Sequence, residues 1–132
     1  MERKRILVVD DDPDIVEYLA SFLEDHGYEV SSANRTSAAL SRMDEVEPHA
    51  VVLDVVLPGK SGLDLLVTIR RHHRWSGVPV VVVTGDDLIV RDNGRAYLGG
   101  HKLKRGADCV LAKPVDRDAL IEVLARLTTS HD

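Results

Sequence analysis

Carboxylates, a hydroxyl and an ammonium stand directly behind four apolar runs. Asp10, Asp11 and Asp12 follow "ILVV" (6 to 9), Asp54 follows "AVVL" (50 to 53), Thr84 and Gly85 follow "VVVV" (80 to 83), and Lys113-Pro114 follows "CVLA" (109 to 112). Neighbouring carboxylates repel one another, so a cluster is tolerable where a divalent cation or a lysine offsets the charge. Oxygen donors with no His or Cys at ligand spacing suit Mg²⁺ rather than zinc; Mg²⁺ takes one or two carboxylates, several waters and a phosphoryl oxygen. An aspartate can also be the nucleophile in phosphoryl transfer, giving an aspartyl phosphate. Asp54 ends its run ahead of the turn at Pro58-Gly59, where its carboxylate would face the metal and the incoming phosphoryl group.

These groups cooperate only if the fold gathers them. Continuous apolar runs read as parallel strands covered on both faces, and a weaker fifth strand is expected around Tyr28 to Ala33. Between them lie helical patterns. Ile15, Leu19, Phe22 and Leu23 share one face, as do Leu120, Val123, Leu124 and Leu127, and helices near 35 to 46 and 62 to 73 are readable as well. The βα alternation predicts an α/β fold, a doubly wound parallel sheet of five strands with helices on both faces and right-handed crossovers. In such a sheet ligands bind outside the carboxyl ends of the strands, where strand order reverses. The aspartates, Thr84 and Lys113 therefore belong to one edge.

Local signals agree. "DDPD" offers an Asp N-cap with Pro13 in the first turn, "VDRDAL" offers Asp116 before the last helix, and Gly27 reads as a C-cap. The segment from Asp86 to Gly106 predicts a long, partly irregular connection, because a helix around Arg95 to Arg105 would be interrupted at Gly99-Gly100.

The chain of 132 residues is a one-domain length, so residues 1–132 are expected to form a single domain. Its 44% apolar and 30% charged residues are ordinary for a globular protein. No apolar run approaches the roughly 20 residues that span a bilayer, and "MERKRILVVDDD" lacks a secretory apolar core, so the expected location is cytoplasmic, with no membrane partner. Cys109 is the only cysteine, which rules out an internal disulfide. A net charge of −5 argues against direct nucleic-acid binding, which needs clustered Lys and Arg.

Taken in order, "ILVVDDDP", "VVLDVVLPGKSG", "VVVVTG" and "LAKP" resemble the receiver domain of two-component response regulators over nearly the whole chain. The resemblance implies a flavodoxin-like three-layer αβα sandwich with strand order 2-1-3-4-5. It implies that Asp54 accepts a phosphoryl group from a phosphohistidine on a sensor histidine kinase or histidine phosphotransfer protein. It assigns Mg²⁺ to Asp10, Asp11, Asp54 and the backbone carbonyl of Val56, and it makes Lys113 the partner of the phosphoryl oxygens, with a cis peptide before Pro114. Thr84 would turn inward to the phosphate. Partners would be the phosphodonor and a downstream effector protein or output domain, with a homodimer on activation as a further option. Two departures stand out: Val110 occupies the position where the family usually carries Tyr or Phe, and the stretch from Thr84 to Lys113 is longer than usual. Whether the domain acts alone or within a longer regulator or hybrid kinase is open at this level.

Other readings compete. A haloacid-dehalogenase-like phosphohydrolase would carry a second Asp two residues after its nucleophile, to protonate the leaving group; that position is Val56. A flavin binder would carry a Ser, Thr and Gly loop after the first strand, where three aspartates stand instead. A pseudo-receiver would bind partners without phosphorylation. Among individual residues, "DDDPD" alone could be a helix cap, and Thr-Gly is common at strand ends. His72-His73 lack i, i+4 metal spacing and read as a solvated helix end, and Trp75 reads as a loop cover. Arg91, Arg95, His101, Lys102, Lys104 and Arg105 read as a solvated face or a protein-docking surface, and Cys109 as a small buried hydrophobe.

Overall fold

A computed structural model describes residues 3–57, 61–92, 95, 103 and 105–129. The elements run β1 (Arg5–Val9), α1 (Pro13–Asp25), β2 (Glu29–Ala33), α2 (Thr36–Val46), β3 (Ala50–Asp54), α3 (Gly62–Arg71), β4 (Val80–Thr84), α4 (Asp87–Asp92), β5 (Cys109–Ala112) and α5 (Arg117–Thr128). All strand pairs are parallel, in the order β2-β1-β3-β4-β5. This is the flavodoxin-like arrangement expected from the sequence.

Side-chain alternation along each strand splits the core in two. Leu7, Val9, Val51, Leu53, Val80 and Val82 face the side covered by Ala39 and Met43 of α2 and by Leu63, Leu66 and Ile69 of α3. Ile6, Val8, Val52, Val81 and Val83 face Leu19, Phe22 and Leu23 of α1 and Leu120, Val123 and Leu124 of α5. β3 and β4 are buried along their whole length, which is why their sequences are apolar without alternation. The outer strands β2 and β5 are only partly covered, and their sequence signals are weaker.

The helix starts follow their caps. Asp12 accepts the Asp14 N–H at 2.9 Å ahead of Pro13, and Asp116 accepts the Ala119 N–H at 3.1 Å. At the end of α1 the capping residue is His26 rather than Gly27; the glycine lies one position beyond, with φ of 92°, the left-handed conformation that lets the chain turn toward β2.

Several boundaries differ from expectation. β3 and β4 run one residue further than their apolar cores, so Asp54 and Thr84 are themselves ladder residues. α3 stops at Arg71 instead of 73, because the N–H groups of Trp75 and Ser76 turn back to the His72 carbonyl. Cys109 is half-buried, not fully buried, since its strand is an edge. Between α4 and β5, Leu103 and Ala107 pack on the core; the interruption expected at Gly99-Gly100 and the turn at Pro58-Gly59 lie outside the described residues. Among the described residues no helix is long and apolar enough to cross a membrane.

Candidate functional site at the carboxyl edge of the sheet

The register places the site. Val9 of β1 pairs with Leu53 of β3, so Asp10 emerges beside Asp54; Asp54 pairs with Val83 and Thr84 with Ala112, so Thr84 and Lys113 complete the same edge. Asp10, Asp54 and Thr84 are 4%, 6% and 1% exposed. Asp11, one residue beyond the strand, is exposed.

Each side chain is aimed by backbone contacts. The Asp10 N–H donates to the Ala33 carbonyl at 3.1 Å, and Asp10 Oδ1 accepts the Asp12 N–H at 2.9 Å. This local turn leaves Oδ2 facing the site. Asp54 Oδ1 accepts the Val56 N–H at 3.3 Å. The Lys113 N–H donates to the Thr84 carbonyl at 2.9 Å, and the peptide to Pro114 is cis. From there Lys113 Nζ lies 3.4 Å from Asp54 Oδ2 and 3.5 Å from Asp10 Oδ2. Those are ion-pair distances, longer than a strong charged hydrogen bond.

One ammonium thus faces two buried carboxylates. Burial pushes the Asp54 carboxyl above its ordinary value and the negative charge of Asp10 adds to this; Lys113 and the Val56 N–H pull the other way without cancelling it. A carboxylate oxygen from each of Asp10, Asp11 and Asp54 lies within 4.8 Å of the others, and this is the one group of three or more potential metal-ligating side chains among the described residues. The donor set is all hard oxygen and carries more negative charge than Lys113 offsets, so it fits Mg²⁺ and does not fit a thiolate or imidazole metal. Val56 is 71% exposed and sits directly beyond the Asp54 peptide.

Thr84 Oγ1 accepts the Asp86 N–H at 3.0 Å, a bond that does not use the hydroxyl proton. Asp86 in turn accepts the Leu88 N–H at 2.9 Å, capping α4. Thr84 therefore links the site to that helix. Val110, three residues before Lys113, packs against the core on the α2 and α3 side.

Other candidates fall elsewhere. The His72 and His73 rings stack at 4.8 Å, and Trp75 stacks on His72 at 3.6 Å while packing on the core. The expected basic face is partly neutralised: Arg105 pairs with Asp108, and Arg95 donates to the Asp92 carbonyl at 2.9 Å. His101, Lys102 and Lys104 lie outside the described residues. Sequence reasoning missed two features. Arg70 is buried and donates to the carbonyls of Gly106, Ser76 and Val78 and to Asp108 Oδ2. Asp108 Oδ2 also accepts the Val80 N–H at 2.7 Å, so this pair fixes where β4 begins. The other feature is Gly62, whose signal was a glycine at the very start of an apolar helical pattern.

A sequence model of the response regulator receiver domain matches residues 6–125. The DNA-binding response regulator MtrA of Mycolicibacterium smegmatis is 37% identical over 131 residues, covering 98% of this chain and 53% of that protein. The chain thus spans about half the length of this relative. Among solved structures, a putative response regulator from Chloroflexus aurantiacus superposes with a TM-score of 0.83 at 29% identity, covering 96% of this chain and 98% of that one. The response regulator TrrA of Thermotoga maritima, in complex with Mg²⁺-BeF, superposes with a TM-score of 0.78 at 31% identity, covering 94% and 98%.

Proposed function

The chain belongs to the response regulator receiver domain family, and on that premise we propose that residues 1–132 form one receiver that accepts a phosphoryl group on Asp54 and thereby switches its protein contacts. The observation that carries this reading is the Asp54 carboxylate itself, buried at the end of β3 between Asp10 and Lys113.

In the transfer, an Asp54 oxygen attacks phosphorus, the P–N bond of a phosphohistidine breaks, and its electron pair stays on the imidazole. Asp10, Asp11, Asp54 and the Val56 carbonyl would hold Mg²⁺. When bound, that ion supplies charge neutralisation among the carboxylates and the phosphoryl oxygens; TrrA, in its complex with Mg²⁺-BeF, supports the assignment. Lys113, already 3.4 Å from Asp54, pairs with a phosphoryl oxygen, and the Thr84 hydroxyl donates its free proton to another. The protein promotes its own phosphorylation and dephosphorylation and has no general acid at Val56 for ordinary phosphate esters.

The energy suffices for a switch. A phosphoryl group adds roughly −1.5 to −2 charge. One opposite-charge contact near 4 Å is worth about 4 kcal/mol at an effective dielectric of 20, and a hydrogen bond to a charged group about 1.5–3 kcal/mol. Together they meet the roughly 5.5 kcal/mol that moves a two-state equilibrium from 1:99 to 99:1. With Val110 in the core, the response passes through the 86 to 106 segment, β5 and α5. The phosphodonor is a cytoplasmic sensor histidine kinase domain or histidine phosphotransfer protein. The recipient is an effector protein or output domain, or a second copy of the activated receiver. Direct nucleic-acid contact is not part of this reading, given the charge of −5.

Intact mass after incubation with acetyl phosphate and Mg²⁺ tests the proposal. The expected result is a gain of one phosphoryl group that disappears with EDTA and in Asp54→Ala. A gain that persists in the variant, or an active hydrolysis of ordinary phosphate esters, would overturn it.

A further inference from the structure

We infer that Gly62 is a positioning residue for phosphoryl transfer, pinning the peptide that carries Asp54 into Val56; the inference rests on Asp54 being the phosphoacceptor. Gly62 is the first residue of α3 and is buried. Its N–H donates to the Val55 carbonyl at 2.6 Å, with Ser61 Oγ 3.5 Å from the same oxygen. A Cβ built on Gly62 would stand 2.0 Å from the Asp54 carbonyl oxygen, 2.9 Å from the Asp54 carbonyl carbon and 3.0 Å from Val55 Cα. Carbon approaches a carbonyl oxygen no closer than about 3.3 Å even in favourable contacts, so one methyl group must open this junction by roughly 1.3 Å.

The two sides of the junction are unequally held. α3 is anchored by Leu63, Leu65, Leu66 and Ile69, all 2% exposed or less, and by the Ser61 hydroxyl, which accepts the Leu63 N–H at 3.1 Å. On the other side the ladder ends at Asp54↔Val83, leaving Val55 and Val56 beyond it. The softer side is therefore the Asp54-Val55-Val56 run. That run holds the Val56 N–H that bonds Asp54 Oδ1 and the Val56 carbonyl assigned to Mg²⁺. A displacement there turns the nucleophile and shifts a metal ligand together. Misplacing reacting groups by about 1 Å can cost on the order of 100-fold in rate, and disturbing the groups that orient metal ligands costs roughly 10–100-fold in affinity.

The test compares Gly62→Ala with Ile69→Val, which perturbs the buried face of the same helix. Circular dichroism first establishes a temperature at which both are folded. Calorimetric titration then gives the Mg²⁺ dissociation constant, and intact mass gives the rate of phosphorylation by acetyl phosphate at saturating Mg²⁺. Gly62→Ala should weaken Mg²⁺ and slow phosphorylation, each about tenfold or more, while Ile69→Val leaves both within about twofold. Equal effects in the two variants would reduce Gly62 to a packing residue and overturn the inference. Should Gly62→Ala fail to fold, Ser61→Gly loosens the same grip without adding bulk; a lower Mg²⁺ affinity supports the inference and an unchanged one overturns it. A wild-type protein that binds Mg²⁺ yet takes up no phosphoryl group sinks the phosphoacceptor reading and with it the role of Gly62 in transfer, whereas a wild type that is phosphorylated beside an equally competent Gly62→Ala sinks only the inference.

Discussion

Asparagine at position 54 keeps the shape of the side chain and its acceptor for the Val56 N–H while removing its charge, so Asp54→Asn isolates what the ionised carboxylate costs the fold. Two Coulomb terms oppose each other. Attraction to Lys113 at 3.4 Å is worth about 5 kcal/mol at an effective dielectric of 20, and repulsion from Asp10, with oxygens within 4.8 Å, about 3.5 kcal/mol or more. The surplus of attraction, about 1.5 kcal/mol at most, stands against a desolvation penalty of several kcal/mol for a buried ion. Ionised Asp54 is therefore a net burden, in accord with the upward displacement of its pKa by burial and Asp10. The sign of the pH dependence follows. The folded chain binds this proton more tightly than the unfolded chain, so the wild type loses stability as pH rises from the ordinary value of 3.8 through the raised folded value. Asp54→Asn escapes that loss. In urea denaturation with EDTA at pH 7.5 the variant should be more stable by on the order of 1 kcal/mol, a midpoint shift of roughly 0.3–1 M, and the gap should close toward pH 3.5. A variant less stable than wild type at pH 7.5, or a gap independent of pH, would refute the reasoning.

Three further outcomes are expected. Asp108→Ala strips a buried arginine of its anionic partner and leaves the Val80 N–H without its acceptor, so urea denaturation should show a loss of about 3 kcal/mol, softened by the carbonyls that still hold Arg70. Asp108→Asn should cost less because it preserves an acceptor for Val80. Asp11→Asn changes an exposed side chain and should leave stability within about 0.5 kcal/mol, while calorimetry should show Mg²⁺ affinity lowered about tenfold or more. Mg²⁺ at about 100 times its dissociation constant should stabilise the wild type by roughly 2.7 kcal/mol, a gain that EDTA reverses and that thermal melting can follow.

The layout of the sheet was legible because its signals are local and redundant. Ile6 to Val9, Ala50 to Leu53 and Val80 to Val83 are covered on both faces, so each strand is written as an unbroken apolar run. The helix starts at Asp12 and Asp116 use side-chain caps that a sequence displays directly. The convergence of Asp10, Asp54, Thr84 and Lys113 followed from topology alone, because strand ends of one parallel sheet share an edge. What escaped depends on contacts between segments far apart in the chain. Arg70 and Asp108 meet across 38 positions, and each alone looks like an ordinary surface charge. The end of α3 at Arg71 is set by a hydrogen-bonded turn on the His72 carbonyl, for which the helical periodicity of the segment has no counterpart. The close approach of Gly62 to the Asp54 carbonyl is a distance, and only the folded backbone supplies it.

The central claim is that Asp54, and no other residue, carries the phosphoryl group. Treating the protein with acetyl phosphate and Mg²⁺, reducing any acyl phosphate with borohydride, and sequencing the peptides by mass spectrometry tests it most directly, because reduction converts an aspartyl phosphate into homoserine. Homoserine at position 54, lost in EDTA and absent from Asp10 and Asp11, is the predicted result. Homoserine at another aspartate, or an unmodified Asp54 in protein that has gained phosphoryl mass, would contradict the account.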